Sequence, residues 1–140
     1  MKQIIIIVLI LAAAGTVFYL TDTSRSTQVE AGVQTPVTYR SLSAGEAKEM
    51  MADGEEYVLL DVRTDEEYKE KRIDGAVLIP DYEIAGRVEQ ELPDRDARIL
   101  IYCRSGRRSA LAAQALIDLG YTNVYDFGGI NDWPYDTVKE

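Results

Sequence analysis

Apolar and polar residues follow one another along this chain in blocks whose lengths and spacing predict alternating strands and helices. Short apolar runs bounded by polar or turn residues have the length of buried strands. The predicted strands are Val58–Val62, Val77–Ile79, Ile99–Tyr102 and Asn123–Phe127. Between them, apolar residues at helical spacing predict helices over Tyr82–Leu92, stopped by Pro93, and over Ser109–Leu119, followed by Gly120.

Two further helices are predicted from the polar residues that open them. Ser43 with Glu46, and Thr64 with Glu67, have the spacing of capping boxes, in which each side chain bonds the backbone of the other residue. Strands therefore alternate with helices, and several strands are wholly apolar. Such strands are buried on both faces, so we expect an α/β fold with a mostly parallel central sheet flanked by helices on both faces.

The first twenty residues form a segment of a different kind. Ile4–Leu20 contains no charged residue and would span about 25 Å as a helix, slightly less than a bilayer core. We expect it to be a membrane anchor, with Lys2 on the cytoplasmic side and the domain outside the cytoplasm. The alternative is a cleaved signal segment that leaves a secreted or periplasmic protein. Thr21–Pro36 is polar and without apolar periodicity, which predicts a flexible tether before a domain over residues 37–140.

Composition narrows the classes of partner. The net charge of −9 makes nucleic acid a poor partner, because phosphate backbones attract basic surfaces. The chain has one cysteine and no histidine, so it has no intrachain disulfide and no cluster of the residues that bind zinc. We therefore predict no metal and no cofactor, and we expect a monomeric domain. Positive charge is concentrated at one place in this acidic chain, and such a place favours a small anionic substrate.

That concentration lies directly after the single cysteine. Cys103 follows the predicted strand Ile99–Tyr102 and precedes a helix, and three arginines stand at positions 104, 107 and 108. Helix N-terminal N–H groups and nearby cations both lower a thiol pKa and favour the reactive thiolate. The alternative is an inert core cysteine, but the clustered arginines beside it favour a nucleophile.

Loop length indicates the kind of nucleophile. From Cys103 to Arg108 the loop has six residues, with Gly106 at its middle. Protein tyrosine phosphatases place one more residue between cysteine and arginine, in a loop that fits a tetrahedral phosphate. The shorter loop resembles that of the rhodanese, or sulfurtransferase, family. A phosphatase or an arsenate reductase could use the same thiolate and is the less favoured alternative. The reductase would also lack a second, resolving thiol in this chain.

Three other segments are similar to rhodanese segments in the same order along the chain. Leu59–Thr64 with Glu66, Glu67 and Tyr68 resembles the family's "LLDVR…EY"; Ile73–Pro80 resembles "HIPGAINIP"; and Val124–Ile130 with Trp133 resembles the closing "V…L.GG…W". One departure is Lys71-Arg72, where the family usually has Gly-His. Over roughly the last hundred residues, the four motifs together are far more specific than any one of them.

The resemblance implies a sulfurtransferase in which Cys103 takes a sulfane sulfur from thiosulfate or a similar anion and holds it as a persulfide. A thiol or cyanide then accepts it. The substrate-binding residues implied or predicted are Arg63, Arg104, Ser105, Gly106, Arg107, Arg108 and Ser109. The alternative from another class is a membrane-tethered module that binds a partner without catalysis.

The side chains of these residues have different predicted roles. Because like charges repel, the three loop arginines cannot all point inward. We expect Arg108 to brace the loop and Arg104 or Arg107 to meet the donor anion. The hydroxyls of Ser105 and Ser109 could donate to the thiolate, although Ser109 equally fits an ordinary residue of a helix N-terminus. Asp61 is expected to cap a turn, and Tyr102, Gly128, Gly129 and Trp133 to be structural.

Overall fold

A five-stranded sheet forms the centre of the computed structural model, which describes residues 36–140. Its strands are β1 (Arg40–Ser41), β2 (Val58–Asp61), β3 (Val77–Leu78), β4 (Ile99–Cys103) and β5 (Val124–Gly129). The strand order is β1-β5-β4-β2-β3, and every neighbouring pair is parallel. The predicted parallel α/β sheet is confirmed, with β4 in the middle of it.

Four α-helices cover both faces of this sheet. They are α1 (Ala44–Ala52), α2 (Asp65–Glu70), α3 (Ile84–Glu91) and α4 (Arg107–Asp118). On one face, Val88 of α3 and Leu116 of α4 pack with Ile101 in the larger core cluster. On the other face, Ala47 of α1 packs with Leu100 in the second cluster. Because successive side chains of a strand point to opposite faces, β4 supplies apolar residues to both clusters and is buried along its whole length.

The observed starts of the helices agree with the predicted ones where neighbouring residues determine them. Both predicted capping boxes are present, at Ser43 with Glu46 and at Thr64 with Glu67. The helix predicted over Tyr82–Leu92 is instead a 3₁₀ turn, Asp81–Glu83, followed by α3. The turn follows Pro80, whose fixed φ suits the start of a helical turn.

The helix after the cysteine begins two residues earlier than the predicted Ser109. Gly106 has a φ of +99° and occupies the N-cap position, so the helical conformation starts at Arg107. A side chain at a positive φ is strained, which explains the glycine at this position. The loop between β4 and α4 is therefore only three residues long.

The predicted membrane segment Ile4–Leu20 and almost all of the tether Thr21–Pro36 lie outside the described residues. Within residues 36–140, none of the helices is long and apolar enough to cross a membrane.

Candidate active site

Cys103 is the last residue of the central strand and is fully buried at the carboxyl-terminal edge of the sheet. The loop Arg104–Gly106 curves round its sulfur and leads directly into α4. The backbone N–H of Gly106 donates to Sγ at 3.0 Å. Open α/β sheets place their ligand sites at this edge, outside the carboxyl ends of the strands. The site predicted from the sequence is therefore a short backbone loop closed round one thiol.

Two opposing influences act on the pKa of this thiol. Burial raises the pKa of Cys103, because an apolar environment disfavours the thiolate. Hydrogen bonds from the Ser109 hydroxyl and from the N–H groups of Ser109, Gly106 and Ser105 lower it. The hydrogen bonds outweigh burial, and the pKa lies below its usual range. The loop thus favours the negatively charged form of the sulfur through neutral donors.

The arginines take a smaller part in this activation than the sequence predicted. Arg108 directs both terminal nitrogens to the carboxylate of Glu67, each at 2.8 Å. Arg104 is 67% exposed, with its nearest acidic partner, Glu67, at 3.9 Å, and Arg107 is exposed as well. The pKa of Arg108 is raised chiefly by Glu67 and also by the charge of the Cys103 thiolate, but the hydrogen bonds of the loop are the largest of the influences that lower the thiol pKa.

The Arg108–Glu67 pair ties the first turn of α4 to α2. Hydrogen bonds from Arg108 hold the pKa of Glu67 at about 2, against an ordinary value of 4.5, although partial burial acts in the opposite direction. Glu67 also closes the capping box with Thr64. One carboxylate therefore fixes the start of α2 and the end of the cysteine loop at once. The sequence identified its capping role and missed its contact with the loop.

Ser109 lies fully buried beneath the loop. Its hydroxyl oxygen is 3.1 Å from the carbonyl oxygen of Gly106 and 3.2 Å from that of Gly128. Both are acceptors for the single hydroxyl proton. Ser105, by contrast, is exposed and contributes its backbone N–H. The Ser109 side chain, on the first turn of the helix, therefore holds the cysteine loop at Gly106 to the end of β5 at Gly128.

Asp61 and Arg63 form a buried unit beside the loop. The Asp61 carboxylate accepts from the backbone N–H of Arg63 at 3.0 Å and from its guanidinium at 2.6 Å. The guanidinium also donates to the carbonyl of Lys71 and lies 5.6 Å from the ring of Tyr102. Burial disfavours the charged guanidinium, but the bonds to Asp61 outweigh it and raise the pKa of Arg63. Asp61 has the geometry of a turn cap; substrate binding by Arg63 stays a prediction.

Gly129 packs directly against the cysteine loop. A Cβ at this position would lie 2.3 Å from the carbonyl oxygen of Arg104 and 2.6 Å from the Cα of Ser105. The N–H of Asn131 donates to the same carbonyl oxygen at 3.2 Å. We predicted only that this glycine is structural. Its close approach to the loop explains why no side chain fits there, and a Gly-Gly pair after a strand is the signal that could have indicated it.

A cleft of about 440 Å³ lies beside the loop. Its lining includes Arg63, Glu67 and Arg104, together with Lys71 and Lys139. A larger cleft, about 1070 Å³, is lined by residues that precede or begin β2 and β4, at the opposite edge of the sheet. The smaller cleft borders the cysteine loop at Arg104, whereas the larger one lies at the other end of the strands, so the smaller one is the candidate for the site.

Comparison with known proteins agrees with this geometry. Residues 43–135 match the rhodanese-like domain family. The chain is 36% identical over 80 residues to the thiosulfate sulfurtransferase PspE of Escherichia coli, covering 57% of this chain and 77% of that protein. It is 39% identical over 84 residues to a sulfurtransferase of Allochromatium vinosum, covering 59% and 77% respectively.

A solved structure described as rhodanese with anions, from E. coli, has a TM-score of 0.57 and 34% identity. The match covers 61% of this chain and all of that one.

Proposed function

The chain belongs to the rhodanese-like domain family, and from this we propose that it is a sulfurtransferase that carries sulfane sulfur on Cys103. One observation supports the proposal most directly. The only thiol of the chain is buried in a ring of N–H donors that lower its pKa. A thiolate is the reactive form of cysteine, and preorganised donors stabilise it without reorganisation.

The first step takes sulfur from an anionic donor, for which thiosulfate is the model. The Cys103 thiolate attacks the outer sulfur of thiosulfate, and a new S–S bond forms. The original S–S bond breaks, and its electron pair leaves with sulfite. The product is a Cys103 persulfide whose outer sulfur carries the negative charge. The loop N–H groups of Ser105 and Gly106 stabilise charge on either sulfur as it develops.

The second step returns the enzyme to its starting state. A nucleophilic acceptor, cyanide or a thiolate, attacks the outer sulfur of the persulfide. The S–S bond breaks, and its electron pair returns to the Cys103 sulfur. No residue is oxidised or reduced over the cycle, so a single cysteine is sufficient. This separates the proposed cycle from a dithiol cycle, which needs a second cysteine.

The donor is expected to approach along the exposed arginines. Arg104 and Arg107 are both exposed, and Arg104 borders the cleft beside the loop. The solved structure described as rhodanese with anions supports an anionic donor for this chain as well. Positive charge at the rim raises the local concentration of an anion, even when the whole chain is acidic. We assign Arg108 a positioning role through Glu67.

The test is sulfur transfer by the full chain and by its Cys103→Ser variant. We expect the full chain to transfer sulfur from thiosulfate to cyanide and to gain the mass of one sulfur atom on Cys103 after thiosulfate treatment. Cys103→Ser should lose both properties, while Asp118→Asn, an exposed change elsewhere on α4, should keep them. Transfer by the serine variant would overturn the mechanism. A native protein that forms no persulfide would favour the binding module instead.

A further inference from the structure

A short antiparallel ladder forms one side of the cleft beside the cysteine loop. The backbone N–H of Arg72 donates to the carbonyl of Val138 at 2.8 Å, and the N–H of Val138 donates to the carbonyl of Arg72 at 2.8 Å. The N–H of Glu140 donates to the carbonyl of Lys69 at 3.1 Å. Residues 137–140 are therefore fixed by main-chain bonds to the end of α2 and the residues after it. The mechanism above assigns no role to this segment.

The register of the ladder places two lysines opposite each other. Because Arg72 and Val138 exchange both hydrogen bonds, the next pair along the ladder, Lys71 and Lys139, is a non-hydrogen-bonded pair. The side chains of such a pair lie on one face, with Cβ atoms about 4.5–5.5 Å apart. Lys71 has the extended backbone of a strand residue. Side chains alternate, so Arg72 points to the other face, where its guanidinium lies over the ring of Tyr68.

Like charges directly opposite each other destabilise a ladder, so the position of these lysines needs an explanation. Lys71 and Lys139 both line the cleft beside the cysteine loop. Both are exposed, and among residues 36–140 neither forms an ion pair with an acidic side chain. Their positive charges are therefore open to a ligand in the cleft.

The other charged residues of the lining leave the cleft with an excess of positive charge. The buried Arg63 and the partly buried Glu67 each have an ion-pair partner of their own. Arg104 and the two lysines remain, and Glu70 is the acid of the lining that faces them. This positive surface belongs to a chain whose net charge is −9, so it attracts anions against an acidic background.

The cleft is larger than the donor of the proposed cycle requires. Its volume is about 440 Å³, and pockets of about 300–1,000 Å³ hold organic ligands. Thiosulfate and cyanide are small ions, and neither would fill it. Arg104 is next to Cys103 in the chain, whereas the lysines are brought to the cleft by the ladder. The cleft therefore has room for an organic acceptor whose anionic end meets the lysines while its sulfur reaches Cys103.

The family to which the chain belongs explains neither lysine. Lys71 is part of the departure from the rhodanese segment, in which Lys71-Arg72 replaces the usual Gly-His. Lys139 lies beyond the residues that match the family, because that match ends at residue 135. The inference therefore depends on the residues of this chain.

We propose that Lys71 and Lys139 are specificity-determining residues that bind the carboxylates of the sulfur acceptor, an organic thiol of low molecular weight. This rests on the proposed function, in which the acceptor thiolate attacks the outer sulfur of the Cys103 persulfide. An S–S bond forms to the acceptor, the bond to Cys103 breaks, and its electron pair returns to the Cys103 sulfur. The acceptor leaves as its own persulfide. The lysines hold its anionic end and take no part in the bond changes.

The experiment compares acceptors of different charge in sulfur transfer from thiosulfate by the full chain. Mercaptosuccinate carries two carboxylates, 2-mercaptoethanol is neutral, and cysteamine carries an ammonium group. Because the cycle has two separate steps, kcat/KM for the acceptor reports the second step alone. We expect Lys139→Gln to lower kcat/KM for mercaptosuccinate about three-fold, and Lys71→Gln with Lys139→Gln to lower it about ten-fold. The value for 2-mercaptoethanol should stay unchanged, and that for thiosulfate should change much less.

Charge reversal separates recognition of the acceptor from a structural role. Lys139→Glu should lower kcat/KM for mercaptosuccinate further and raise kcat/KM for cysteamine, whereas a structural defect would lower both. The same change should increase the free energy of unfolding, because an opposite-charge pair replaces a like-charge pair in the ladder. Lys69→Gln is the matched control: it removes an exposed lysine near Lys71 that does not line the cleft, and it should leave all these values unchanged.

Equal losses for mercaptosuccinate and 2-mercaptoethanol in Lys139→Gln would overturn the proposal, as would a larger loss for thiosulfate than for mercaptosuccinate. A binding measurement separates this proposal from the proposed function. (Methylthio)succinate has both carboxylates but no thiol, so it cannot accept sulfur. In the full chain it should shift the amide NMR signals of Lys71 and Lys139, and it should bind Lys139→Gln more weakly. Sulfur transfer without this binding would overturn the lysine site alone, and binding without sulfur transfer would overturn the proposed function alone.

Discussion

Replacing Glu67 with glutamine tests how strongly the cysteine loop depends on a contact from α2. The drop in the pKa of Glu67 from 4.5 to about 2 corresponds to about 3 kcal/mol, at about 1.4 kcal/mol per unit. The side chains of Arg108 and Glu67 are 25% and 18% exposed, so water screens part of this energy. We therefore expect Glu67→Gln to lower the free energy of unfolding by about 2 kcal/mol at neutral pH. Glutamine keeps the capping box, so the loss reports the charge.

Urea unfolding as a function of pH is the appropriate assay. A carboxyl whose pKa is depressed in the folded state stabilises the protein fully above its ordinary pKa, and this stabilisation is lost as the pH falls towards the folded value. The difference between the native chain and Glu67→Gln should thus be full above about pH 5 and should close towards about pH 2. Glu66→Gln, in the same first turn of α2 but exposed to solvent, is the matched control, and it should change the free energy of unfolding much less than Glu67→Gln does.

Equal unfolding free energies for the native chain and Glu67→Gln at neutral pH would refute the reasoning. A difference that persists unchanged at low pH would refute it too, because the native glutamate is then protonated. A double-mutant cycle with Arg108→Gln isolates the pair: the coupling between the two changes should account for most of the loss.

Three more predictions concern other parts of the chain. Gly129→Ala should abolish sulfur transfer while the fold persists by circular dichroism, because its Cβ would displace the loop at Arg104; an alanine variant with native activity would contradict the close contact. Arg104→Gln should raise the KM for thiosulfate and flatten its dependence on salt, and an unchanged salt dependence would place the donor elsewhere. Alkaline carbonate treatment should leave the full-length chain in the membrane pellet if Ile4–Leu20 is an anchor; a shortened soluble product would indicate a cleaved signal.

Local sequence patterns predicted most of the fold and the chemical centre of the site. The capping boxes, the apolar strands and the turn of Asp61 with Arg63 each depend on residues within a few positions of one another. Cys103 was identified because its neighbours in the sequence are also its neighbours in space. Such features follow from backbone geometry and from the spacing of side chains.

The contacts that were missed join residues far apart in the chain. Glu67 lies 41 residues before Arg108, and nothing near either residue indicates that they pair. The contact of Gly129 with the cysteine loop was missed as well, because it depends on how β5 lies next to β4. The sequence did predict that Arg108 braces the loop, but its partner comes from another element of the fold and could not be identified.

The way the cysteine loop is held has a consequence for the folding reaction. Parallel strands pair only after long crossover connections have closed, and such non-local topologies fold slowly. The loop is supported by Glu67 on one side and by Gly129 on the other. It can therefore reach its final conformation only after the connections that bring α2 and β5 next to β4 have formed. In the unfolded chain Cys103 is an ordinary thiol. The reactivity that Cys103 gains from its lowered pKa therefore appears late in refolding. The rate at which the thiol is alkylated thus reports whether the whole sheet has assembled.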